Sequence, residues 1–314
     1  MSVTRENLKE RLLPRVNKKV DFNAGQRKKR SRRGAGEMGD IDKNSPIGVF
    51  DSGVGGLTVV KELMEQLPNE RIIYYGDTAR VPYGNKSRET VIRYSREITE
   101  FLCEQNVKAI VVACNTASAL ALDELNKTVD IPIIGVVKPG ARAAADASRK
   151  GKIGVIATRA TVNSGIYEAY LKGKRPDTEV YAKACPLFVP LVEEGLTDDP
   201  ITDSIIHRYL DELLEKGIDS LVLGCTHYPL LKDSIARAVG KDVTLVNPAY
   251  ETARSFKALL EEKGLLCDKK ETDRQKTGNK FFVSDSPEQF RSFAGNVLSI
   301  RIGEEDVNVK AFVG

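Results

Sequence analysis

The chain has 314 residues, 41% hydrophobic and 29% charged, enough for one large α/β domain or two of about 100 to 150 residues each. Its net charge of +4 is unevenly placed: Met1 to Ser45 hold 13 Lys or Arg against 6 Asp or Glu, a local +7 that leaves −3 for the rest, which argues against a nucleic-acid-binding body. No apolar run reaches the roughly 18 to 20 residues that span a bilayer, and the first ten residues lack a signal peptide's apolar stretch, so a cytoplasmic protein without a membrane span is expected.

Residues 1–45 read as a basic, disordered N-terminal extension. The run QRKKRSRRG from Gln26 is taken as a solvated tail rather than a nucleic-acid contact. Leu8, Leu12, Leu13 and Val16 hint at a short amphipathic turn, and Met38, shortly before Ile47, is a candidate internal start.

From Ile47 onward, short β-rich apolar runs alternate with longer helical patterns, which predicts βα units around mainly parallel sheets. The strand candidates are IGVF from Ile47, RIIYYG from Arg71, AIVVA from Ala109, IPIIGVV from Ile131, KIGVIA from Lys152, EVYAKA from Glu179, SLVLG from Ser220 and VTLVN from Val243. Being continuously apolar, they are expected to be buried on both faces. The chain also echoes itself. IGVFDSG from Ile47 returns as IGVIATR from Ile153, an offset of 106, and IVVACNTAS from Ile110 returns as LVLGCTHYP from Leu221, an offset of 111. Two similar lobes with a ligand cleft between them are the expected consequence.

Ligands of open α/β sheets bind beyond the carboxyl ends of the strands, and Asp51, Asp77, Cys114, Thr158 and Cys225 all sit at such exits. Each of the two cysteines precedes helix-start residues: Asn115, Thr116 and Ser118 in one case, Thr226 and Pro229 in the other. A thiol at a helix N-terminus has its thiolate stabilised. Two matched thiols suit one reaction in particular. Inverting an α-carbon without a cofactor needs a base on one face and an acid on the other, because a single group returning its own proton regenerates the starting enantiomer. Asn115, Thr116 and Thr226 are then candidate donors to the substrate carboxylate. Cys103, Cys185 and Cys267 lack this context and, with no CxxC spacing among the five cysteines, are read as reduced structural thiols. His207 reads as an ordinary helix residue.

Simpler readings stand beside these. Either cysteine alone reads as a small buried hydrophobe, Asp51 as a cap for the helix starting near Leu57, and Glu193 as a surface acid. A dinucleotide-binding oxidoreductase is the rival from other chemistry, since Gly53-x-Gly55-Gly56 follows a strand and Asp77 lies about 20 residues on. Its third glycine position is Thr58, and it leaves both cysteine motifs unexplained.

The motifs FDSGVGGLTV at Phe50–Val59, DTARVPYG at Asp77–Gly84, ACNTAS at Ala113–Ser118 and GCTHYPLL at Gly224–Leu231, as an ordered set, resemble those of glutamate racemases in the aspartate/glutamate racemase family. The resemblance runs from about Ile47 to the C-terminus, and the N-terminal extension departs from it. It implies two α/β lobes, residues 46–138 with 247–314 and residues 139–246, with the active site in the cleft between them. It implies cofactor-independent interconversion of L- and D-glutamate, supplying D-glutamate for peptidoglycan synthesis; an aspartate racemase is the nearest alternative. Cys114 would deprotonate D-glutamate and Cys225 L-glutamate, with Asp51 and His227 assisting the respective thiols and Glu193 nearby. Asp51, Ser52, Tyr83, Gly84, Asn115, Thr116, Thr226 and His227 would bind substrate. No metal or cofactor is expected. The partners expected are glutamate and, for assembly, a second copy of the chain.

Overall fold

A computed structural model describes residues 41–268 and 278–312. The basic run from Gln26, the Leu8–Val16 segment and Met38 lie outside the described residues. All eight expected strands form. β1 (Ile47–Asp51), β2 (Ile72–Gly76), β3 (Ala109–Val112) and β4 (Ile133–Gly135) build one sheet, and β5 (Lys152–Ala157), β6 (Glu179–Ala184), β7 (Ser220–Gly224) and β8 (Thr244–Val246) build the other. Two further strands, β9 (Lys280–Val283) and β10 (Val307–Val309), extend the first sheet. Every pairing is parallel.

The strand orders, β10-β9-β2-β1-β3-β4 and β6-β5-β7-β8, contain the same permutation. The sequence echo is also an echo of register. Gly48 pairs with Ile110 and Gly154 with Leu221, so the two offsets map one strand pair onto the other.

The helices are α1 (Leu57–Gln66), α2 (Arg88–Glu104), α3 (Asn115–Leu120), α4 (Leu122–Leu125), α5 (Val137–Ala147), α6 (Arg159–Asn163), α7 (Ile166–Lys174), α8 (Phe188–Glu193), α9 (Pro200–Glu215), α10 (Lys232–Val239), α11 (Pro248–Glu262) and α12 (Pro287–Leu298). Local chemistry starts several of them. Ser87 accepts from Thr90 N–H ahead of α2, and Asp199 and Asn247 cap α9 and α11 with proline in the first turn, where the missing N–H costs nothing. None of the described helices is long and apolar enough to cross a membrane.

Central strands β1, β2, β3 and β7 are buried along their whole length. The expectation of two-sided burial fails for β6 and β8, the two edges of their sheet, which expose Glu179, Ala182 and Thr244; charged side chains such as Glu179 and Lys183 discourage edge pairing with another chain. Ala253, Phe256 and Leu260 of α11, Phe281 of β9 and Phe290 of α12 bury in one core with Ile47, Val49, Leu57 and Tyr74. The C-terminal segment is thus integral to the first sheet's packing.

Candidate active site

Cys114 follows β3 and caps α3, its Sγ accepting from Ala117 N–H at 3.5 Å. The thiol in turn donates to Ser52 Oγ, also at 3.5 Å. Asp51, at the end of β1, is fully buried and accepts from Gly53 N–H at 3.1 Å. Burial pushes its carboxyl above the usual carboxylate value, partly offset by the charge of His227. Burial also pushes the Cys114 thiol up to about 12, with the charge of Asp51 adding to the rise and the Ser52 and Ala117 contacts opposing it. A charge on Cys225 contributes in the same direction. Cys114 therefore rests as a thiol.

Cys225 follows β7 and has a different partner. Its Sγ lies 3.9 Å from His227 Nδ1, and His227 Nε2 lies 2.9 Å from Glu193 Oε1 at the end of α8. Burial works against charge on this ring. The hydrogen bonds and charges of Cys225 and Glu193 outweigh it and raise His227 to about 10. An imidazolium at this place stabilises negative charge on the sulfur that it faces. The expected helix start after Cys225 is not an α-helix. A 3-10 turn, Tyr228–Leu231, with Pro229 in its first positions, comes first and α10 begins only at Lys232, so the side-chain partner facing Cys225 is His227 rather than a helix terminus.

The strand exits of the two sheets meet reciprocally. Thr226 donates to Asp51 Oδ1 at 3.4 Å, and Thr58 Oγ1 donates to the Thr226 carbonyl at 2.9 Å. On the other side, Thr116 lies 2.9 Å from Thr158 Oγ1 and 3.3 Å from Thr161 Oγ1, and the Tyr167 hydroxyl donates to Asn115 Oδ1 at 2.6 Å. The end of β1 thus faces the end of β7, and the end of β3 faces the end of β5, as a twofold relation between duplicated lobes requires. A cavity of roughly 680 Å³ opens beside this region, bounded by Gly53, Val54 and Val81, by Glu193, and by Phe293 and Asn296 of α12.

The dinucleotide reading fails here for a steric reason. A Cβ on Gly55 would collide with His227 and Thr226, and one on Gly56 with Asp51. These glycines admit the second lobe and the chain's own Asp51, not a pyrophosphate. Asp77, the would-be ribose ligand, is fully buried and accepts from Arg80, Tyr83 and Ser284. Among the described residues no group of three or more His, Cys, Asp or Glu is placed to hold a metal ion.

Residues 47–255 match the family model described as Asp/Glu/Hydantoin racemase. The chain belongs to this racemase family. A glutamate racemase of Geobacter metallireducens is 51% identical over 259 residues, 82% of this chain and 94% of that protein. Two solved glutamate racemases have the same fold. That of Francisella tularensis, in complex with D-glutamate, is 41% identical with a TM-score of 0.79 and covers 86% of this chain and 98% of its own. A Bacillus anthracis isoform is 42% identical with a TM-score of 0.80, covering 85% and 98%.

Within this racemase fold the residues singled out from the sequence come together: Asp51, Ser52, Cys114, Asn115, Thr116, Cys225, Thr226, His227 and Glu193 lie around the meeting strand exits. Tyr83 and Gly84, in a short 3-10 turn, reach the same place through Gly84, whose Cα lies against Thr158. The Tyr83 ring itself turns inward and is buried, its hydroxyl donating to Asp77 at 2.5 Å. Cys103 and Cys267 form no disulfide, Cys267 contacting Asn44 and Glu70, and Cys185 is a buried core thiol in the same apolar cluster as Cys225; His207 is exposed on α9, paired with Asp211. Sequence reasoning missed Tyr167, Thr161, Arg80 and Ser284. Tyr167 sits in the amphipathic stretch IYEAYLKGK, where a core tyrosine and a site tyrosine look alike.

Proposed function

We propose that the chain interconverts L- and D-glutamate by moving the α-proton between Cys114 and Cys225 across opposite faces of a planar carbanion. The observation that carries this reading is the placement of the two thiols at equivalent strand exits of duplicated lobes, only 5% and 7% exposed. The thiolate at Cys225, opposite the imidazolium of His227, removes the proton of L-glutamate, and the Cys114 thiol delivers a proton to the other face. For D-glutamate the roles reverse, and the substrate's α-ammonium group favours loss of the Cys114 proton against the charge of Asp51. Asn115, Thr116, Thr226 and the Tyr83–Gly84 backbone hold the carboxylates and stabilise the developing negative charge with fixed donors. Asp51 and Ser52 act on Cys114, and Glu193 on His227. The D-glutamate formed serves peptidoglycan synthesis in the cytoplasm. The assembly in this reading is a homodimer, which light scattering checks.

The test is side-by-side incubation of the purified protein with each enantiomer of glutamate and of aspartate, without added cofactor, followed by chiral chromatography. Glutamate of either hand should approach an equal mixture while aspartate lags far behind. Turnover of aspartate with inert glutamate would replace this substrate by the shorter one.

A further inference from the structure

Tyr167 lies on α7 in the second lobe, 4% exposed, among Val137, Ala141, Ala144, Ile153 and Leu171. Its ring touches the exit of β7: a Cβ on Gly224, the residue before Cys225, would lie 3.3 Å from the ring's Cε2. Its hydroxyl crosses to the first lobe and donates to the side-chain oxygen of Asn115, the residue after Cys114, at 2.6 Å. One side chain therefore abuts both thiol-bearing segments. Burial, reinforced by the charge of Cys225, holds the phenol far above its usual titration range, so it remains a donor at every working pH. A donor on Oδ1 fixes which way the Asn115 amide faces. The amide nitrogen has no partner among the described residues, and Asn115 shares a small void with Cys225 and Thr226.

We propose that Tyr167 is a positioning residue that turns the Asn115 amide so that its N–H groups face the substrate carboxylate, and that it does so only when the two lobes are closed. This rests on the reading of Asn115 as a substrate-binding residue. Because the bond reaches across the lobes, the donor is in place only in the arrangement that also brings Cys114 and Cys225 together. Substrate binding and lobe closure then favour each other.

The experiment is a double-mutant cycle of Tyr167→Phe and Asn115→Ala, read as KM and kcat for both enantiomers of glutamate. Phenylalanine keeps the ring on Gly224 and removes only the hydroxyl; circular dichroism and the thermal midpoint establish that each variant is folded. Tyr167→Phe should raise KM roughly fivefold to fiftyfold for both enantiomers, the range for a lost hydrogen bond at a buried site, with a smaller change in kcat. In the Asn115→Ala background the same substitution should change KM less than about twofold, because the group it orients is gone. An Asn115→Ala variant with normal KM would remove the substrate-binding reading and the proposal together. An impaired Asn115→Ala variant with Tyr167→Phe at wild-type KM, or with an equal Tyr167→Phe effect in both backgrounds, would overturn the positioning role and leave the substrate-binding reading standing.

Discussion

His227 Nε2 lies 2.9 Å from Glu193 Oε1 while the opposite nitrogen of the ring faces the Cys225 sulfur. The carboxylate is on the outer side, its side chain 40% exposed against 5% for the histidine, so it lends charge to the ring while keeping part of its own contact with water. Although burial lowers it, His227 is raised to about 10 by the Cys225 and Glu193 contacts. The sign follows directly. A histidine raised from 6.5 contributes stability and charge fully below its ordinary value, and both are lost as the pH passes through about 10.

For L-glutamate, kcat/KM should therefore fall on the alkaline side as His227 loses its proton, and Glu193→Gln should move that limb to lower pH by about one unit. Glutamine keeps an acceptor for Nε2 and removes only the charge. Titration of the substrate's own amino group is common to both enzymes, so the difference isolates the histidine. Superimposable pH profiles would show that Glu193 does not act on the ring.

The two thiols have mirror-image tasks, so single substitutions of each should fail alike. Cys114→Ser and Cys225→Ser should each lower racemisation by about a hundredfold to ten-thousandfold or more, since a serine hydroxyl is far too weak an acid to supply the base at neutral pH. In heavy water the wild-type enzyme should deliver product of the opposite hand carrying deuterium at Cα, because the second thiol exchanges with solvent. Mass spectrometry of the separated enantiomers reads this. A folded variant of either kind that racemises at nearly the wild-type rate would return its cysteine to the role of a packed strand-end residue.

Strands β1, β2, β3, β5 and β7 were legible because burial on both faces leaves an unbroken apolar run. The duplication was legible because offsets of 106 and 111 fall on positions that pair in register. β9 and β10 were not. β9 joins the sheet on β2 and β10 joins on β9, and β10 is mostly exposed, so KFFV and VNV form strands only on the edge that each extends. The motif residues of the site could be read where they stand next to a cysteine. Contacts such as Tyr167 with Asn115 or Ser284 with Asp77 join residues 52 and 207 positions apart, and a single sequence carries no trace of such a pairing. The partner of Cys225 was readable two positions on; the Ser52 contact of Cys114 needed the fold.

Gly55 offers a steric test of lobe closure. Its backbone is not in the left-handed region, so alanine is conformationally allowed there. The new methyl would nevertheless press on the His227 ring and on Thr226 Oγ1, and the ring cannot retreat while Glu193 holds it. Gly55→Ala should separate the lobes by a fraction of an ångström to about 1 Å and lower kcat by up to about a hundredfold, at a stability cost of about 1–3 kcal/mol. Gly53→Ala is the control, since its methyl would meet the Val81 side chain at ordinary distances, Cγ2 at 3.4 Å and Cβ at 3.9 Å. Equal kcat values for the two variants would show that closure tolerates the extra methyl.

Asp77 tests how the C-terminal segment supports the site. Its buried carboxylate accepts from Arg80 Nε at 2.7 and 3.0 Å, from Tyr83 at 2.5 Å and from Ser284 Oγ at 2.9 Å. Arg80 is in turn paired with Glu97 and stacked 3.9 Å over the Tyr94 ring. Ser284 also accepts from Ala79 N–H at 2.8 Å, so the segment after β9 clamps the loop that ends in the Tyr83–Gly84 turn. Asp77→Asn leaves this geometry nearly unchanged but removes the charge and puts an N–H₂ group where an acceptor is needed. Arg80 has no lone pair to answer it, and its Nη2 is already buried without a partner. The variant should lose about 3 kcal/mol, seen as a thermal midpoint lower by roughly 5–10 °C, and its KM for both enantiomers should rise severalfold as the turn loosens. Ser284→Ala removes two hydrogen bonds, the one donated to Asp77 and the one accepted from Ala79 N–H, but leaves Asp77 its Arg80 and Tyr83 donors, so it should cost less, about 2 kcal/mol, with a correspondingly smaller KM change. That ordering is what the clamp demands. An Asp77→Asn variant no less stable than Ser284→Ala, with KM unchanged in both, would mean that the turn holds its shape without the buried carboxylate.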